Sequence, residues 1–308
     1  TEEDCEKETR QYLGEYKKVA EELLAVPVIA GEKTSKERFA GAKRTYTIEA
    51  FMPDGKALQM GTSHNLGQNF AKAFGISYLG KDEKNHLPWQ NSWGISTRLV
   101  GALVMMHADN KGLVIPPKIA PIHAVIVPIF RKGDDKDTIL NKANEIKKEL
   151  SHFVIHIDDR DEYTPGWKYN EWELKGIPLR IELGPKDIEK DQVVLVRRDT
   201  GTKEFVPVSD LPKKMKSTLE HMQNDLFEKA KHWMDSNIVQ ASNWQEFEKG
   251  IEQRKLVKVF FCDDPKAEEE IKEKSQASSR VMPFSETMTG KCFYTGKEGK
   301  VTYFAKAY

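Results

Sequence analysis

Arg98 stands directly after Ser96-Thr97 and directly before a run in which Leu99, Leu103 and Met106 recur at helical spacing. That spacing predicts a helix with Arg98 at its head. A guanidinium there lies beside the open N–H groups of a first helical turn, where phosphate is favoured, and its fork suits charge stabilisation at a phosphoryl centre. An exposed arginine without a ligand is the plain competitor for this position. Upstream, Thr62 and His64 are two residues apart. On an extended segment they share a face and can converge on one small ligand. The same stretch also allows Thr62 or Ser63 to be a helix N-cap, with His64 incidental.

The elements that must hold these residues fall into three blocks. In 1–118, Tyr12, Leu13, Tyr16, Val19 and Leu23 mark an amphipathic helix. Alternation over 45–51, the turn residues Pro53-Asp54-Gly55 and the run 56–60 predict a hairpin. Leu66, Phe70 and Phe74 then repeat every four residues as a helix, and 89–94 leads to the helix of Arg98. Pro116-Pro117 breaks the pattern and sets a domain boundary near residue 118. In 119–211 the order is strand 123–130, helix 138–152, strand 153–157, a charged and aromatic segment, and strands near 179–183 and 193–197, the signature of an α/β domain with a mixed sheet. The block 212–308 opens with a long charged helix, 215–235, followed by 244–254, a short strand 257–261 and an aromatic end at Tyr303, Phe304 and Tyr308.

Composition narrows the function classes. The hydrophobic fraction of 39% and charged fraction of 31% fit a folded water-soluble chain, and no apolar run approaches the roughly 20 residues of a membrane span. No membrane association is expected. Lys+Arg and Asp+Glu are both 48, so RNA binding has to come from local patches. Three cysteines, Cys5, Cys262 and Cys292, argue against a disulfide framework and for a reducing compartment. The acidic start, 1–9, is unlike a signal peptide, so the cytoplasm is the expected location.

Three long stretches carry a resemblance. They are "GEKTSKERFAGAKRTYTIEAFMPDGKALQMGTSHNLGQNFAKAFG", "QNSWGISTRLVGALVMMHADNKGLVIPPKIAP" and "YTPGWKYNEWELKGIPLRIELGPKDIEKDQVVLVRRDTG". Together the chain resembles the C-terminal part of prolyl-tRNA synthetases of the eukaryotic and archaeal type, which are class II enzymes. The resemblance implies an overall α/β architecture: an α+β remnant of the catalytic domain with an antiparallel sheet (1–118), an α/β anticodon-binding domain (119–211), and a small α+β C-terminal domain (212–308). It implies ATP-dependent activation of L-proline to prolyl-adenylate, with Mg2+, and transfer to the 3′ end of proline tRNA by a homodimer joined through the catalytic domain. A tRNA-binding protein without catalysis is the alternative. Adenylate formation needs positioning and charge stabilisation more than a strong base, because the amino-acid carboxylate is already a nucleophile. By the match, Arg98 is the catalytic arginine of the third class II signature. Gln59, Thr62, Ser96 and Arg98 contact ATP, with Ser96 where the family usually has threonine, and Phe39 and His64 line the proline pocket. The first two class II signatures would precede Thr1. Between Thr1 and Arg98 there is no room for a large editing insertion, so hydrolytic proofreading is not expected.

In the second block, "GWKYNEWELKG" interleaves aromatic and charged residues as recognition of single-stranded bases demands. The resemblance implies that Arg160, Lys168, Glu173 and Lys175 bind the anticodon, with Arg180 and Lys186 as further phosphate contacts and Trp172 as a core anchor. The third block resembles the family's zinc-binding-like domain, yet only Cys262 and Cys292 remain, with Ala267 and Thr295 at the other two positions. Two thiolates do not close a tetrahedral site. No zinc is expected, with Phe260, Val281, Phe284, Phe293 and Tyr303 packing in its place. The chain end at Tyr308 is expected to fold back towards the active site.

Overall fold

The computed structural model describes residues 1–130 and 135–308. They form two compact units, one of residues 1–22, 26–102 and 230–308, the other of residues 23–25 and 103–229. The architecture is mixed α/β in both.

In the first unit a nine-stranded sheet joins the beginning and the end of the chain. Its path runs through Ile238–Gln240, Leu256–Phe261, Glu298–Ala305, Ser278–Pro283, Ile29–Glu32, Arg44–Phe51, Ala57–Gly67 and Gln90–Gly94, with Thr289–Lys291 also paired to Glu298–Ala305. The hairpin expected around Gly55 is present, and its second strand is longer than the pattern suggested. It continues to Gly67, so the helix read from Leu66 shrinks to Asn69–Phe74. The reason is pairing on both sides: residues 57–65 bond to Arg44–Phe51, and residues 62–67 bond to Gln90–Gly94. Two ladders of backbone bonds outweigh a short 3.6-residue repeat.

One face of this part of the sheet is covered by the helix Glu2–Lys18. Ser63 donates to the Thr9 carbonyl at 2.7 Å, and Asn65 donates to Glu6 at 2.9 Å. Thr1 caps that helix with a reciprocal bond to Asp4, which fixes where it starts. In the C-terminal part the core is Phe247, Phe261, Phe293 and Phe304 with Val257 and Ile271. Phe260, Val281 and Tyr303 join a neighbouring cluster with Phe51 and Met234. Phe284, expected inside, is instead an exposed side chain edge-on to Tyr46 and under the Arg10 guanidinium. The helix Pro265–Ser275 buries Ala267, Glu268 and Ile271, too few apolar positions to mark a period, while the strand Ser278–Pro283 and the second half of Glu298–Ala305 are almost wholly buried and lack alternation.

The second unit has a five-stranded sheet in the order Lys203–Pro207, Gln192–Arg197, Leu179–Leu183, Ala124–Pro128, Ile155–Ile157. Ala124–Pro128 is parallel to both neighbours and the other two pairings are antiparallel, the mixed sheet expected. The helix Lys136–Glu149, capped by Asp135, packs Ile139, Ala143 and Ile146 on one face. The charged and aromatic segment folds as a further helix, Pro165–Leu174, which lays Trp172 against Val125 and Val127. Thr164 accepts from the Trp167 amide and Pro165 occupies the first turn, a start signal the sequence carried.

Gly31 shows how tightly the first unit's sheet is closed. A Cβ there would lie 2.1 Å from the Met282 carbonyl oxygen and 2.5 Å from Val281. Backbone cannot rotate aside, so Gly31→Ala is expected to destabilise the unit by about 3 kcal/mol, the upper end of overpacking costs. Urea unfolding followed by tryptophan fluorescence checks this, and an unchanged midpoint would contradict it.

Candidate functional site

The strand Ala57–Gly67 carries the expected residues, and a β-bulge decides which way they point. Register with Arg44–Phe51 pairs Thr45 with His64, Thr47 with Thr62, Ile48 with Gly61 and Glu49 with Gln59. Met60 is the extra residue. In a regular strand Gln59 would share a face with Gly61 and Ser63, under the helix Glu2–Lys18. The bulge resets the alternation and brings Gln59 to the same face as Thr62 and His64. Thr45, Thr47 and Glu49 lie beside them as cross-strand partners.

Arg98 begins the helix Arg98–His107, as expected, with Leu99 and Leu103 buried. Its amide is held by Ser96 Oγ at 3.3 Å, and its Nη1 donates to the Gln59 carbonyl at 3.1 Å. The arginine at the helix head therefore reaches the bulge. Ser96 and Arg98 are both exposed. At the other end of this face, Phe39 and His64 form a small aromatic corner with ring centroids 4.8 Å apart. Thr45 Oγ1 ties the two together: it accepts from the Phe39 amide at 3.0 Å and lies 3.0 Å from His64 Nδ1. Burial pushes His64 below the usual imidazole range, which keeps it neutral at pH 7. Phe39 is 49% exposed, so half of its ring is open to a ligand. The six residues named from sequence thus occupy one sheet face and its rim.

The carboxylate on this face, Glu49, is 3% exposed and bound by Lys33 and Arg280, so it is not free to ligate a cation. The chain end lies nearby: the Ala57 amide donates to the Lys306 carbonyl at 2.8 Å, and Lys56 lies over the Tyr308 ring.

In the second unit the expected basic residues divide sharply. Arg160 is half-buried, forks onto Asp158 at 2.8 and 2.7 Å, and reaches Glu171 at 2.6 Å. Its guanidinium also lies over Tyr163 and Trp167, which stack with centroids 3.9 Å apart. Lys175 is exposed, bonded to Glu171 and set over the Trp172 ring. Glu173 accepts from Arg180 at 3.0 Å. Two expectations need correction. Lys168 is only 2% exposed and its ammonium donates to the Asp158 carbonyl, so it braces the fold and does not face solvent. Arg180 is likewise buried, between Glu173 and Glu182, with Tyr169 against its guanidinium. Lys186 is exposed. Tyr163 was missed by sequence reasoning; its place four residues before Trp167 was the available signal.

Asp158 organises this patch. Trp172 Nε1 donates to it at 2.8 Å, alongside the Arg160 fork. Burial alone would raise its carboxyl, but the bonds from Arg160 and Trp172 and the Lys168 charge bring it down to about 2.

In the C-terminal segment Cys262 Sγ lies 3.2 Å from Thr295 Oγ1, and the Thr295 amide donates to Cys292 Sγ. No group of three or more His, Cys, Asp or Glu that could hold a metal occurs among the described residues. No helix among them is long and apolar enough to cross a membrane.

Three family models match the chain in order. They describe a tRNA synthetase class II core domain (G, H, P, S and T) over residues 1–107, an anticodon binding domain over 123–218, and a prolyl-tRNA synthetase C-terminal domain over 244–308. Among curated proteins, the chain is 48% identical over 313 residues to a proline--tRNA ligase of Natranaerobius thermophilus and 50% identical over 311 to that of Oceanobacillus iheyensis. It is 48% identical to proline--tRNA ligase 2 of Bacillus cereus. All of this chain aligns in each case, and it spans 65%, 64% and 65% of their respective lengths.

Asp158→Asn tests the hub. It takes the carboxylate charge from the Arg160 fork and from beside the buried Lys168 ammonium, 3.8 Å away, so a loss of about 3 kcal/mol is expected at neutral pH. The carboxyl is lowered from 3.8 to about 2, so its contribution is complete above pH 3.8 and fades as pH falls towards 2. The gap in unfolding free energy between wild type and variant should therefore narrow over that window. A gap independent of pH would contradict the assignment.

Proposed function

We propose, from the premise that this chain belongs to the prolyl-tRNA synthetase family, that it forms the substrate-facing sheet and the anticodon-reading unit of a proline--tRNA ligase. The observation that carries the reading is the single face on which Phe39, His64, Thr62, Gln59 and Arg98 follow one another. An apolar, neutral corner at Phe39 and His64 suits a small uncharged ring such as that of proline. A guanidinium at a helix head, 3.1 Å from the Gln59 carbonyl, suits a polyphosphate. Gln59 and His64 stand five residues apart on one strand, roughly 15 Å at about 3.3 Å per residue, room for a ligand that is an amino acid at one end and a nucleotide at the other.

In this reading the proline carboxylate attacks the α-phosphorus of ATP, the bond to pyrophosphate breaks, and prolyl-adenylate remains. The residues named here need not move a proton in that step. Thr62 and Ser96 offer hydroxyls to the nucleotide, Gln59 an amide near the phosphates, and Arg98 a fixed positive charge that stabilises negative charge as it shifts. The ribose hydroxyl at the 3′ end of proline tRNA then attacks the prolyl carbonyl, forming the ester as the acyl–phosphate bond breaks and AMP leaves. No zinc is included. The homodimer, the cytoplasmic location and the division at residues 118 and 211 belong to the same proposal.

Arg98→Ala, made in the complete protein, should lower proline-dependent ATP–pyrophosphate exchange about 100-fold or more, roughly 3 kcal/mol of transition-state stabilisation. Unchanged exchange would remove Arg98 from the ATP site and with it the reading of this face.

For the second unit, the exposed Tyr163–Trp167 stack under Arg160, together with Lys175 and Glu173, is proposed to meet unstacked anticodon bases. Trp167→Ala should weaken charging of proline tRNA by the roughly 1–3 kcal/mol of one base–aromatic stack while leaving tRNA-independent exchange intact. Equal losses in the two assays would show a folding defect, and no loss in charging would place the anticodon elsewhere.

A further inference from the structure

On the proposed substrate face a buried charge network reaches into the C-terminal segment. Glu49 sits directly across from Gln59. Its Oε1 accepts from Lys33 Nζ and from Thr47 Oγ1, both at 2.8 Å, and its Oε2 accepts from Arg280 Nε at 3.0 Å and Nη2 at 2.8 Å. All four residues are buried. Burial would raise the Glu49 carboxyl, but the Lys33 and Arg280 charges outweigh it and hold it below the usual range.

A second buried lock lies beside the first. Thr34, which follows Lys33, and Ser279, which precedes Arg280, both donate to Glu268 Oε1, at 3.2 and 2.5 Å. Lys33 and Arg280 are thus each fixed at the backbone as well as at the head group. A carboxylate with four donors cannot rotate. Thr47, bonded to Glu49, stands opposite Thr62 and is immobilised with it.

Such a network is a poor device for stability alone. Taking three charges out of water costs more than well-packed apolar residues would, which points to a geometric task. Two cations on one carboxylate also leave a formal charge of one positive unit beside Gln59, on the face where anionic substrates are placed.

We propose that Arg280 is a positioning residue for substrate activation: through Glu49 it fixes the bulge that presents Gln59 and the strand pair that presents Thr62. The proposal rests on the reading of this face as the ATP and proline site. It gives the C-terminal segment a positioning part in adenylate formation.

The test uses the complete protein with Arg280→Met and Arg280→Lys, measuring kcat and KM in proline-dependent pyrophosphate exchange, melting temperature and equilibrium binding of proline tRNA. Arg280→Lys keeps the charge and loses the fork, so a folded variant is expected with kcat reduced about fivefold and KM and tRNA binding little changed. Arg280→Met, where it folds, should lose more than about tenfold in kcat with tRNA binding retained. Folded Arg280→Lys with wild-type kcat would overturn the proposal, as would loss of melting temperature alone. Arg98→Ala, run in parallel, separates the two failures: if it abolishes exchange while the Arg280 variants do not, only the positioning role falls. If Arg98→Ala is also without effect, the reading of the face falls first.

Discussion

A carboxylate withdrawn from water must find cations, and Glu49 finds them on two segments that reach its sheet from the N-terminal and C-terminal parts of the chain. Lys33 follows the strand Ile29–Glu32, and Arg280 lies on Ser278–Pro283, the strand paired to it. Each would be costly to bury alone. Their mutual dependence means that the N-terminal and C-terminal segments can close into one sheet only in the register that brings all three together. The bulge opposite Ile48 and Glu49 then settles whether Gln59 shares a face with Thr62 and His64 or lies under the helix Glu2–Lys18. The face proposed for substrates follows from that chain of constraints.

The second unit solves a similar problem at smaller scale. Asp158, one residue beyond the strand Ile155–Ile157, is surrounded by Arg160, Lys168 and the Trp172 indole. Two of these partners are buried and one is left at the surface. The buried pair roots the helix Pro165–Leu174, while Arg160 turns outward and lies over Tyr163 and Trp167. A surface patch for stacking is thereby held by a buried anion, which gives the aromatic rings a defined orientation at little entropic cost.

Much of this was legible from residues alone. Arg98 at a helix head followed from the repeat of Leu99, Leu103 and Met106, and the shared face of Thr62 and His64 followed from strand periodicity. Gln59 could not be placed that way, because a bulge has no signature in a single strand; it is a property of the pair. Lys168 was misread for a related reason. A lysine between a tryptophan and a tyrosine looks like a surface cation, and only the arrival of Asp158 from another element makes it a buried one. The same limit hid Arg280 and Glu49, which are 231 residues apart. Pairings across that distance leave no local pattern, whereas capped and periodic helices do.

The central claim is that one ligand lies along the strand Ala57–Gly67, with its amino-acid end at Phe39 and His64 and its nucleotide end at Arg98. A crystal structure of the complete protein with a non-hydrolysable prolyl-adenylate analogue, the prolyl sulfamoyl adenosine, tests it directly. The account predicts the pyrrolidine ring against Phe39 and His64, the sulfamoyl group near Gln59 and Thr62, and the adenosine against Arg98. Analogue bound elsewhere, or bound here with its two ends reversed, would contradict it.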